Sequence, residues 1–273
     1  MKFTLPEGAF PAVALSKARQ DELVSEAMSV VSETVAANEA FLADGAKLRS
    51  PRWRLVRAKE GLQVYRQRST SSGSFNSLNS AGLSEEPLSP ELQSASWASG
   101  HSFKRNKGRV GSKKALAEAT AALSPSSVAT EGGLVDAMRR PGVPLMALHG
   151  TVDGSLDDSM FGAFAASDQA WKWRSSHIND RFDDARLLTS ITRPSRRDPF
   201  RFLGVKWFAK EHPAVLSGLV QRRDFLILEA TGLTRDSQGE KVGYFLMHSV
   251  ALPDVVPELS EMGIIRGSLS FCF

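Results

Sequence analysis

Apolar positions recur every three or four residues between about 16 and 44. Leu23, Ala27, Val30, Thr34 and Phe41 fall on one stripe, and Val31 and Val35 widen it. The spacing predicts one long helix packing a single face on the rest of the chain. Gly45 stands where a C-terminal cap belongs. The period then changes from helical to two. Trp53, Leu55 and Arg57 alternate with Arg54, Val56 and Ala58. After Glu60-Gly61, Leu62, Val64 and Arg66 alternate with Gln63, Tyr65 and Gln67. Two such runs around a two-residue turn predict a β-hairpin.

The pattern lapses from Ser69 to about Pro141. STSSGSFNSLNSAGLSEEPLSPEL and SPSSVATEGG are rich in Ser, Gly and Asn. Such segments bury too little apolar surface to offset their ordering entropy. Residues 69–141 are expected to form a disordered insertion within one domain, with a short helix near Lys113 to Leu123. The insertion holds a basic cluster from Lys104 to Lys114 and two Ser-Pro pairs, at Ser89 and Ser124. A solvated charge run accounts for the cluster more simply than a phosphate site does.

Pattern returns at Pro144. Leu145, Ala147 and His149 predict a strand. Ser155 and Asp158 have capping-box spacing, and Ser167-Asp168 predicts a second helix start. Strands are expected around Leu187 to Ile191, Phe202 to Phe208, Arg223 to Thr231 and Val242 to Leu252, with a last run at Gly267 to Phe273. Arg235 to Gly239, RDSQG, predicts a turn joining an antiparallel pair. Asn179 to Asp184, NDRFDD, reads as a polar loop leading into a strand.

Composition narrows the chemistry. Of 273 residues, 42% are apolar, and the formal net charge of +4 is too mild to argue for nucleic acid. It suits contact with an anionic membrane equally well. Cys272 is the single cysteine, which excludes an internal disulfide and a cysteine-built zinc site. No apolar run reaches the roughly 18 residues that span a bilayer, and the N-terminus makes a poor signal peptide. Cytoplasmic residence, peripheral to membranes at most, is the expectation. The chain contains no GxSxG, HExxH, paired CxxC or GxGxxG. His101, His149, His177, His212 and His248 stand at no metal-ligand spacing. No cofactor, metal or catalytic residue is implied.

One stretch carries more information. Gly204 to Gly232 reads GVKWFAKEHPAVLSGLVQRRDFLILEATG. Its Arg223-Asp224-Phe225 triplet at the head of a doubly apolar strand resembles a signature of START-type lipid-transfer domains. WRLVRAKEGLQVYRQR is similar to that family's opening hairpin, and DRFDDARLLTSI stands where the family has a strand. The wording KWFAKEHPAVL, RRDFLILEATGLTRD and GYFLMHSVALP looks most like the START-like proteins of oomycetes, some of which also carry a FYVE zinc finger. The resemblance covers about residues 50–68 and 144–273.

The resemblance implies an α+β helix-grip fold, in which a curved antiparallel sheet and a C-terminal helix enclose one lipid. Residues 1–49 would be an N-terminal helix and tail, and 50–273 the START-like domain. The family continues with a further strand and a lid helix, so the chain is expected to be truncated. Its apolar face would then lie open, inviting aggregation or dimerisation. Ligand contacts are expected from Phe225, Ile227, Phe245 and Met247, flanked by Leu269 and Phe271. Sterol-binding members carry a carboxylate and an arginine in the cavity. The corresponding positions are Lys210 and Glu229, with the charges exchanged, so sterol specificity is not implied. Two readings stand for them: a pair facing the ligand, or an exposed Lys210 with Glu229 at a strand end. Arg223 and Asp224 are expected to tie the strand start to a neighbouring loop. The leading function is a non-enzymatic lipid-binding or lipid-transfer module. The alternatives are an interaction or regulatory module on the same fold, and an enzyme on a related cup fold. The last is disfavoured by the missing acid–base constellation.

Overall fold

The computed structural model describes residues 3–48, 51–68, 145–178, 180–210 and 221–273. The expectations for residues 69–141 and for most of KEHPAVLSGL fall outside them. The fold is α+β, built on a broad sheet covered on both faces.

Helix α1, Lys17–Ala43, begins at Ser16, whose hydroxyl accepts the Arg19 N–H at 3.2 Å. Its buried residues are Leu23, Ala27, Val30 and Val31, the stripe the spacing predicts. Strands β1, Trp53–Lys59, and β2, Leu62–Gln67, form the expected hairpin. Glu60 and Gly61 have φ of 51° and 83°. Two positive φ values give the turn whose twist matches paired strands. Strand β3, Met146–His149, pairs antiparallel with β2. These three strands form a small sheet of their own, largely exposed, so the strands after Pro144 do not all join one sheet. Phe41 of α1 meets His149 edge-on at 4.7 Å.

Two short helices follow. In α2, Leu156–Ala163, Ser155 and Asp158 form the capping box reciprocally. In α3, Asp168–His177, Ser167 caps the Ala170 N–H. The larger sheet runs in the order β4 (Phe182–Thr192), β5 (Phe202–Lys210), β6 (Arg223–Arg235), β7 (Lys241–Ser249) and β9 (Ser270–Cys272), antiparallel throughout. The short β8, Ile265–Arg266, pairs parallel with the first two residues of β6, beside which β7 has already ended. NDRFDD is not all loop, because β4 already begins at Phe182 and buries Asp183 against Arg222 at 2.8 Å. Three register shifts along β4 against β5 bend this edge of the sheet.

Both faces of β5 and β6 are buried, which is why their sequences are apolar without alternation. On one face, Val205, Trp207, Leu226, Leu228 and Leu246 pack against α1, and the segment before α1 adds Leu5 and Phe10. On the other, Phe208, Ile227, Phe245 and Met247 pack with Ala165 and Trp171. This second face is the one the sequence reading leaves open. Ile227, Phe245 and Met247 are instead buried, because α2 and α3 lie over them, while Phe225, Leu269 and Phe271 are half-buried. Gly243 lets α2 approach, since a Cβ there would stand 2.5 Å from Met160 Sδ.

Asp224 fixes the start of β6. Its carboxylate accepts the Trp207 indole N–H at 2.7 Å and the Arg266 guanidinium at 3.0 Å, and its carbonyl accepts the Gly267 N–H. Arg223 beside it is exposed, and Arg222 makes the charged contact with Asp183 instead. Asp224→Ala should therefore cost about 3–5 kcal/mol in urea denaturation, because it strands a charged partner and a buried indole donor. A cost near zero would show that β8 is held without this carboxylate.

Candidate functional site

The aromatic face of the sheet carries a buried cluster of charge. Glu229 on β6, Lys206 on β5 and Arg174 on α3 meet there, with 0%, 0% and 8% of their side chains exposed. Strand register explains the meeting. Glu229 lies opposite Gly204, and Lys206 is two residues further along on the same face. Gly204 has no side chain to fill the space, and Phe202 folds its ring over it: a Cβ there would stand 2.6 Å from the Phe202 ring.

The guanidinium of Arg174 donates to both carboxylate oxygens of Glu229, at 3.0 and 2.8 Å. This is the bidentate geometry that arginine makes with carboxylates. Lys206 Nζ donates to Glu229 Oε1 at 2.7 Å and to the Ala165 carbonyl at 2.7 Å. Arg174 also donates to the Ala163 carbonyl. The two carbonyls belong to the end of α2 and the link to α3, so the cluster ties both helices to the sheet. Aromatic rings enclose the cations. Lys206 Nζ lies 4.6 Å from the Trp171 ring centroid and 5.1 Å from that of Phe202, and Arg174 lies 4.9 Å from Phe245.

Electrostatics follow from this enclosure. Burial pushes the Lys206 ammonium down from 10.5 to about 8; Glu229 opposes the fall and Arg174 adds to it. Burial alone would raise the Glu229 carboxyl. The charges of Lys206 and Arg174, and the hydrogen bonds they donate, outweigh burial and hold it below its ordinary 4.5. At neutral pH the cluster holds two positive charges and one negative.

Helix α3 adds two more polar groups. Trp171, Arg174 and Ser175 share one helix face at spacings i, i+3 and i+4. Trp171 Nε1 and Ser175 Oγ are buried and have no hydrogen-bond partner among the described residues. Polar atoms in that position are uncommon in folded proteins.

The sequence reading found Glu229 but paired it with the wrong lysine. Lys210 lies near the surface and pairs with Asp180. It is six residues along β5 from the position opposite Glu229, about 20 Å away at strand spacing. Ile227, Phe245 and Met247 share the cluster's face, with Phe225 at its margin, stacked on Phe208 at 5.0 Å. Arg223 and Asp224 lie outside the site. His248 faces α1, between Ser270 Oγ at 2.7 Å and Glu26 at 3.5 Å. Among the described residues, no group of acidic, histidine or cysteine side chains could hold a metal, and no helix is long and apolar enough to cross a membrane. A shallow groove of about 390 Å³ lies on α1, lined by Ser25, Met28, Ser29, Ser32 and Glu33, remote from the charged cluster.

No family model matches this chain, and no curated protein or solved structure matches it either.

Two measurements test the cluster. Glu229→Ala should cost about 3–5 kcal/mol, because two cations lose their buried counterion. The double variant Glu229→Ala/Lys206→Met should cost clearly less than the sum of its single changes; additivity would mean the charges are not coupled. The second is pH dependence. Between about 8 and 10.5 the folded chain releases the Lys206 proton while the unfolded chain keeps it. Stability relative to Lys206→Met should therefore rise with pH across that window. The Glu229 contribution has the opposite limit. It is in place above about 4.5 and is lost as pH falls through the lower folded value.

Proposed function

We propose that this chain is a non-enzymatic lipid-binding module of START-like, helix-grip type, and that its ligand lies between α3 and the aromatic face of the sheet. The observation that carries the reading is the pair of orphaned polar atoms, Trp171 Nε1 and Ser175 Oγ, beside the Arg174–Glu229–Lys206 cluster on an otherwise apolar face. Apolar burial would hold the ligand's tail, at about 25 cal/mol per Å² removed from water. A few convergent polar groups would orient its head. An indole N–H donates only, and a hydroxyl does either. With the net positive charge of the cluster, these groups suit a head rich in acceptor oxygens. Glu229 departs from the resemblance in sign, since sterol-binding members carry an arginine there, so no sterol is proposed as the ligand.

Phe225, Ile227, Phe245 and Met247 would contact the tail, and Lys210 is no longer proposed as a ligand residue. Loading requires α3 to move, because Ile227 and Trp171 are closed off from solvent. The same closure favours the second reading, an interaction or regulatory module in which these side chains are simply core. Cytoplasmic residence remains part of the proposal.

Ser175→Ala separates the two readings. Removing a buried hydroxyl without a partner should leave stability unchanged or raise it by about 1 kcal/mol. On the lipid-binding reading it should also lower the amount of lipid that co-purifies with the full chain, read by native mass spectrometry. Wild-type protein free of lipid, with Ser175→Ala merely more stable, would favour the interaction module.

A further inference from the structure

The end of the sheet away from Asp224 carries a surface that the ligand site does not use. The link from β4 to β5, residues 193–201, reads RPSRRDPFR. Four arginines against Asp198 leave it three net positive charges, and Arg193, Arg196, Arg197 and Arg201 are all exposed. The link is built rather than loose. The Ser195 N–H donates to the Asp198 carbonyl at 3.1 Å, and the Asp198 N–H donates back to the Ser195 carbonyl at 3.2 Å. These two bonds close a tight turn with Arg196 and Arg197 at its tip. Pro194 and Pro199 flank it, and the Phe200 carbonyl is anchored by the Thr231 hydroxyl at 2.7 Å. The fold holds like charges together on a projecting turn, where their mutual repulsion is unfavourable without a counter-charge.

An apolar element adjoins this turn. The Phe200 ring meets Phe164, just past α2, edge-on at 6.3 Å. One turn back along α2 stands Phe161, which is 78% exposed, the highest value among the large hydrophobic residues described. The acidic pair Asp157 and Asp158 stands one turn before Phe161 on α2, where Asp158 is engaged in the helix cap, so the pair offsets part of the positive charge of the link.

We infer that this surface, the Arg196–Arg197 turn together with Phe161, docks the protein on an anionic membrane. The charges match a bilayer carrying phosphatidylserine-like headgroups, and a lone projecting phenylalanine matches the acyl boundary beneath them. Single-stranded nucleic acid is the poorer fit, because it is gripped by successive stacking rings along a basic groove, and here one ring projects. The docking goes beyond the lipid-binding reading and does not depend on a bound ligand.

Vesicle flotation with the full chain tests it. Binding is expected to phosphatidylcholine vesicles containing phosphatidylserine, and not to phosphatidylcholine alone. Each arginine at such a surface contributes roughly five-fold in affinity, so Arg196→Glu/Arg197→Glu should weaken binding by at least about 25-fold. Phe161→Ser should weaken it several-fold at unchanged charge. Arg54→Glu/Arg57→Glu, on exposed positions of β1, makes the same charge change elsewhere and should have a small effect. All these positions are exposed, so thermal melting should be unaltered. Equal losses from the two charge reversals would overturn the proposal, as would wild-type protein that ignores the anionic vesicles or prefers an oligonucleotide to them.

Discussion

Glu229 is a carboxylate placed in the middle of a sheet that is buried on both faces, and the arrangement around it follows from that. A lone charge there would cost several kcal/mol. It is tolerable because Lys206 reaches it across the strand pair and Arg174 reaches down from α3. The three groups bring α3 and the end of α2 onto the sheet, since Arg174 and Lys206 also donate to the Ala163 and Ala165 carbonyls. The aromatic rings of Trp171, Phe202 and Phe245 then close around the cations. Removing the carboxylate would leave two buried cations that repel each other, with α3 held to the sheet chiefly by the Asp168 carboxylate, which accepts the Leu187 N–H at 2.6 Å.

The two faces of the sheet differ because of this cluster. Under α1 the contacts are mostly aliphatic, with Trp207 and Tyr244 among them, and Trp207 and Asp224 satisfy each other. That face is finished as a core. The other face is aromatic, charged and incompletely satisfied, with two buried polar atoms unmatched. A core selected only for stability would have replaced such groups with apolar ones at little cost or some gain. The proposed ligand site rests on that difference. On that proposal helix α3 would be both wall and gate, because it carries Arg174 of the cluster as well as the orphaned atoms of Trp171 and Ser175.

Much of the fold was legible in the chain. The stripe through Leu23, Ala27 and Val30, the Glu60-Gly61 turn and the Ser155–Asp158 box each encode local geometry, and each element formed where its signal lay. The charged cluster was half legible. Glu229 stands out as a charge in a doubly apolar strand, and Lys206 gives the same signal in GVKWF. Lys206 and Lys210 share a strand face, so alternation could not choose between them. The choice depends on the register of β5 against β6, and no two-residue turn signal fixes it, because β5 ends at Lys210 and β6 begins at Arg223. Arg174 was hidden because helical spacing says which face a residue occupies and not what that face meets. The separate β1–β3 sheet was missed for a related reason: alternation predicts strands, but it does not name their partners.

The central claim is the proposal that a lipid lodges between α3 and the aromatic face of the sheet once α3 moves. Photo-crosslinking tests it directly. A fatty-acyl probe with a photoreactive group in its tail would be loaded onto the full chain, irradiated, and mapped by peptide mass spectrometry. The account expects adducts on the peptides carrying Trp171 and Ser175 and on those carrying Ile227, Phe245 and Met247, reduced by competing unlabelled lipid. Adducts confined to the α1 groove at Met28, or scattered over the exposed surface without competition, would contradict it.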